Sequence, residues 1–130
     1  MPYENEMSIG REHPKGGAPG TKWVCGTCGY IWDGDNPPNS CPKCGAPKDK
    51  FTQLPDDKAK LMDRSRLTND LHMKLETMLT KVLAVAEEGI KDNLDPACVM
   101  VFNKAKAEAG IIKQMVKAEI QSHMNKGKWG

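Results

Sequence analysis

Four of the five cysteines in this 130-residue chain fall into two Cys-x-x-Cys pairs, Cys25/Cys28 and Cys41/Cys44, with twelve residues between the pairs. Two such turns facing each other place four sulfurs at the corners of a tetrahedron. An all-thiolate tetrahedron suits zinc or a single iron, and the ligands alone do not choose between them. Each pair is followed by glycine, in C-G-T-C-G and C-P-K-C-G. Gly29 and Gly45 can take positive φ without a Cβ clash, and Pro42 stiffens the second turn. Such turns aim backbone N–H groups at the sulfurs and stabilise thiolate charge. The fifth cysteine, Cys98, falls near the third position of an expected helix, where the helix dipole could lower its pKa. The plainer reading is a small buried apolar residue in line with Phe102.

Two further constellations have ligand-like chemistry. His72 and Glu76 are four apart, as are Glu119 and His123. Folding the chain back near Asn93 brings the two pairs within about two helical turns of each other. Such i,i+4 pairs are commonly solvated ion pairs, and a catalytic carboxylate-rich site needs more ligands than these four.

The elements that must position these groups differ sharply along the chain. Residues 1–20 are rich in Gly and Pro without apolar period and read as an irregular arm. Residues 21–54 form the cysteine module, closed by Pro55. From residue 56 to about 91, apolar residues recur by threes and fours, predicting one long amphipathic helix. One row is Leu67, Leu71, Leu75, Met78, Val82 and Val85; beside it runs Leu79, Leu83, Ala86 and Ile90. K-D-N-L-D-P-A breaks the pattern. Asp95 is a good N-cap and Pro96 fits the first helical position, so a second helix should run from 96 to about 124. Its stripe is Cys98, Phe102, Ala105, Ala109, Ile112 and Val116, and N-K-G-K-W-G at its end should fray. The short turn predicts an antiparallel hairpin filling 55–130. With two apolar rows on the first helix, a lone hairpin leaves one in water. Pairing two hairpins into a four-helix bundle, or docking on another subunit, buries both; the alternative is that the cysteine module covers the second row.

Bulk composition bounds the rest. Apolar content of 38 % and aromatic content of 5 % are low for one well-filled core and favour two modules. The formal charge of +2, with Lys interspersed among Asp and Glu, does not suggest nucleic-acid binding. The opening M-P-Y-E-N-E-M-S-I-G-R-E-H has no apolar signal core, and no run is long enough for a membrane span. The expected compartment is a reducing cytoplasm, where five cysteines read as ligands plus one spare rather than as a disulfide set.

The segment K-W-V-C-G-T-C-G-Y-I-W-D-G-D-N-P-P-N-S-C-P-K-C-G-A-P-K-D-K-F resembles the rubredoxin-like domain of rubrerythrins. The likeness rests on the aromatic before the first cysteine, Gly-Tyr after the second, the acidic turn, the Cys-Pro-x-Cys-Gly-x-Pro close and the short interval between pairs. It covers residues 22–54 and implies a small β/knuckle fold holding one iron per chain, cycling between Fe3+ and Fe2+, on Cys25, Cys28, Cys41 and Cys44. Trp23, Tyr30, Trp32 and Phe51 would be its aromatic core. Rubrerythrins join such a module to a four-helix diiron peroxidase whose site uses Glu-x-x-His. Here the residues three before His72 and His123 are Asn69 and Ile120, so the family's catalytic residues have nothing to map onto. The resulting expectation is an electron carrier or accessory subunit, not an enzyme: a homodimer, or part of a larger redox complex with a partner protein. The alternatives are a zinc-stabilised assembly subunit and a peroxide- or iron-handling protein with an atypical helical site. A four-iron cluster on the same cysteines is a further reading.

Overall fold

The computed structural model describes residues 21–130; the expected N-terminal arm, residues 1–20, lies outside the described residues. In chain order come strands β1 (Lys22–Cys25) and β2 (Ile31–Asp33), a 3-10 turn (Lys48–Lys50), strand β3 (Phe51–Gln53), and helices α1 (Asp56–Asp92) and α2 (Pro96–Asn125). They divide into two compact units. One takes residues 21–67 together with Met124–Gly130; the other is Thr68–His123. The first turns of α1 thus belong with the sheet.

In the first unit β1 lies between β2 and β3, antiparallel to both. Trp23 pairs with Trp32, and Cys25 pairs with Phe51. The core around the cysteines is very small: Cys25, Cys41 and Phe51, with Trp23, Cys28, Tyr30, Trp32 and Ala46 packed against them; Ala59 and Met62 of α1 are buried in the same unit. Both indole N–H groups are satisfied, Trp23 donating to the Gly34 carbonyl and Trp32 to that of Asn36. So few apolar side chains cannot order this unit without a further cross-link.

A buried ion network ties the sheet to the start of α1. The Lys22 side chain is only 2 % exposed, and its Nζ donates to Asp33 at 2.7 Å and to Asp63 at 2.6 Å. Arg66 reaches the other oxygen of Asp33 at 2.8 Å. The cations hold the Asp33 carboxyl below its usual range: burial opposes its charge, but bonds from Arg66 and Lys22 outweigh that. Arg66 Nε also donates to the Gly130 carbonyl. The tail expected to fray is therefore ordered, turned at Gly127 with φ +72°.

In the second unit the helices pack antiparallel. The seam on α1 runs through His72, Glu76, Leu79, Leu83, Ala86 and Ile90, spaced by threes and fours. Only one of the two apolar rows therefore faces α2. The other stays out: Leu75, Met78, Val82 and Val85 are exposed. On α2 the expected stripe holds at Phe102, Ala105, Ala109 and Val116, but Ile112 lies outside it. Lys113 takes that level instead, its stem lying along the seam and its Nζ 3.3 Å from Glu76. Phe102 packs over Gly89, where a Cβ would come within 2.3 Å of the ring.

α1 ends through Asn93, in the left-handed region at φ 52°, whose N–H bonds back to the Gly89 carbonyl. Asp95 caps α2, its Oδ1 accepting from the Cys98 N–H at 2.7 Å. Among the described residues no helix is long and apolar enough to cross a membrane.

Candidate metal centre

The two Cys-x-x-Cys turns are built alike. Gly29 N–H donates to the Cys25 carbonyl and Gly45 N–H to the Cys41 carbonyl; Cys25 N–H donates to the Tyr30 carbonyl and Cys41 N–H to that of Ala46. Closing each turn requires left-handed backbone after the second cysteine, and Gly29 (φ +82°) and Gly45 (φ +77°) supply it. Strand β1 delivers Cys25, and Ser40 bridging to Pro47 clamps the base of the second turn. In each turn the first cysteine is buried, while Cys28 is half-buried and Cys44 exposed.

The four Sγ atoms lie within 4.8 Å of one another. Cys25 and Cys44 are 3.7 Å apart, and Cys28 and Cys41 are 3.5 Å apart. Thiolates at about 2.3 Å from a central ion define a regular tetrahedron with edges of about 3.8 Å. The residues thus fit one zinc or iron ion. They do not fit a four-iron cluster, which would hold each thiolate on a different corner and force them far wider apart.

Electrostatics lead to the same donor set. Burial opposes charge on Cys25, yet the N–H groups of Cys28 and Thr27 and the neighbouring thiols bring it down to about 6. Cys41 is lowered against the same burial by the N–H groups of Cys44 and Lys43. Cys28 accepts the Tyr30 N–H, which favours its thiolate, but burial and the other three thiols push it up to about 12. Four sulfurs this close cannot all ionise unless a cation shares the space. The backbone is already arranged for that state, with N–H groups aimed at three of the sulfurs.

The other candidates do not gather. His72 and His123 meet edge to face with ring centroids 6.1 Å apart. Glu76, however, turns to Lys113, while His123 is held between Asn69 on Nδ1 and Glu119 on Nε2. Among the described residues only the four cysteines form a group of three or more metal-type ligands. Cys98 departs from the dipole expectation. Its thiol is raised, first by the Asp95 carboxylate, then by burial and by Asp92. The capping carboxylate outweighs the helix terminus. Sequence reading missed the Lys22–Asp33–Asp63–Arg66 network; its one local signal is that Lys22 and Asp33 are register partners across β1 and β2.

Residues 23–52 match the family model described as "Rubrerythrin, rubredoxin-like domain". The chain is 50 % identical over 36 residues to reverse rubrerythrin-1 of Clostridium acetobutylicum, covering 28 % of this chain and 20 % of that protein. It is 47 % identical over 34 residues to rubrerythrin of Nitratidesulfovibrio vulgaris, covering 26 % and 18 %. The chain thus spans about a fifth of the length of these curated relatives. No solved structure matches it. Sequence likeness and geometry agree on one point: residues 23–52 form a rubredoxin-like domain of the rubrerythrin type.

Proposed function

We propose that this chain is a one-electron carrier holding a single iron on Cys25, Cys28, Cys41 and Cys44, with the hairpin as the part through which it joins an assembly. The observation carrying the reading is the tetrahedral sulfur cage with N–H groups turned toward it, in a segment that matches the rubredoxin-like domain. Iron in such a cage supplies a ferric/ferrous couple, one electron entering from a donor protein and leaving to an acceptor. The chain's own contribution is rigidity. Both turns are fixed by backbone bonds, so the sulfurs need move little between the two charge states. N–H groups offset the extra negative charge, and burial of Cys25 and Cys41 keeps water from that side. Cys28 and Cys44, on the outer side, form the route for the electron.

Four protein ligands leave no open position for a substrate, so on this reading the chain is not itself an enzyme. The two helices carry no Glu-x-x-His, and the peroxidase reading has no ligand group to rest on among the described residues. A second reading, structural zinc, keeps a footing because the same donor set and spacing suit that ion.

Metal analysis and visible absorption of native, anaerobically purified protein separate these readings. The carrier should contain one iron per chain and be red when ferric, bleaching on reduction with dithionite. Colourless protein with one zinc per chain would replace it with the structural reading. More than one iron per chain would instead revive a helical metal site.

A further inference from the structure

The exposed apolar row of α1 has a counterpart on α2. Leu75, Met78, Val82 and Val85 each directly precede a seam residue, as do Ile112 and Met115 on α2. One residue back along an α-helix is a turn of about 100°. In antiparallel helices that equal step from facing positions leads to the same side of the hairpin. The six side chains, 36–61 % exposed, therefore share one face that spans both helices. We infer that this face pairs with a second copy of the chain, two hairpins closing into a four-helix bundle. The inference stands independently of which metal the cysteines hold.

Three observations favour a second copy over an unrelated partner. First, the α1 row is complementary to itself when reversed. Antiparallel about Met78, Leu75 of one copy lies opposite Val82 of the other, and Leu71 lies opposite Val85. Met78 meets its own copy and a leucine meets a valine at the levels on either side, with the seven-residue spacing of 71, 78, 85 and 75, 82 that suits knobs-into-holes packing. Second, the charged residues on the α2 part of the face, Lys104 and Glu108, pair with each other at 3.0 Å, so neither needs a counter-charge from outside. Third, the area is right. The six side chains expose roughly 500 Å² of apolar surface, and their flanks carry it toward the ~800 Å² per partner of a standard interface.

The seam within one hairpin buries only Leu79, Ala86, Ala109 and Val116 among its apolar residues, two of them alanines. So thin a core needs added burial to hold the helices ordered. A second copy provides it, which couples helix stability to protein concentration.

Sedimentation equilibrium of the full, metal-loaded chain at about 50 µM should give twice the chain mass, and its thermal midpoint should rise with concentration. Val82→Glu should return the mass to one chain and lower the midpoint. Met73→Glu, at an exposed position on the opposite side of the hairpin, should remain a dimer. A parent chain that is monomeric with a concentration-independent midpoint overturns the inference, as does a chain that associates only with a different protein. A Val82→Glu variant that stays dimeric, or a Met73→Glu variant that dissociates, overturns the assigned face. Should Val82→Glu fail to fold, the concentration dependence of the parent's midpoint still decides.

Discussion

Lys22 shows what one buried charge does in a unit with almost no core. Its ammonium is fully enclosed and accepted by two carboxylates, so its desolvation is offset only while both remain ionised. Lys22→Ala leaves Asp33 and Asp63 with only Arg66 as a shared cation and, with Asp63 37 % exposed, should cost about 1–3 kcal/mol in urea unfolding, less than a fully buried pair would. Lys22→Met, which keeps the stem, should cost less. The same network sets a pH dependence. Asp33 has its pKa depressed in the folded state, so its contribution is fully present above the ordinary carboxylate range and is lost as pH falls through the folded value. Acid titration of the melting temperature should show a decline beginning near pH 4 and deepening below it. Asp33→Asn should flatten that decline. The cysteines and their glycines were legible in the sequence because each turn is complete within six residues, from Cys25 to Tyr30 and from Cys41 to Ala46. Lys22 was not, because Asp63 lies 41 residues away on a different element.

The helix limits follow local chemistry, Asp95 capping α2 and Asn93 turning out of α1. Which face of α1 meets α2 does not follow from local chemistry, since both rows repeat by threes and fours. Partner geometry decides it. Phe102 needs a gap opposite, and α1 offers one at Gly89. On a free helix, Gly→Ala would stabilise by about 1 kcal/mol. Here the added methyl would overlap the ring, so Gly89→Ala should destabilise the hairpin by about 1–3 kcal/mol, read from thermal or urea melts. Combining it with Phe102→Leu should recover part of the loss. Lys113 was overlooked for a related reason. A charged residue interrupts an apolar stripe on paper, while in the fold its stem fills the seam and its ammonium finds Glu76.

At the scale of the molecule the two units are held by different means: the sheet unit by its sulfur cage and ion network, the hairpin by side-chain packing. Removing the metal should therefore act selectively. With a strong chelator under reducing conditions, Trp fluorescence from Trp23 and Trp32 should shift to that of solvated indole as the small aromatic core opens. Far-UV helical signal from α1 and α2 should persist. Equal loss of both signals would mean that the helices depend on the cage.

The unequal exposure of the paired cysteines gives the centre a front and a back. Whatever arrives from outside, whether a hydrogen-peroxide molecule, an alkylating reagent or a competing chelator, meets Cys44 and then Cys28 before it can touch Cys25 or Cys41. Damage to the four cage cysteines should accordingly have a fixed order among them, written first on Cys44. A mass spectrum of partly oxidised material would then serve as a record of which side of the cage was attacked.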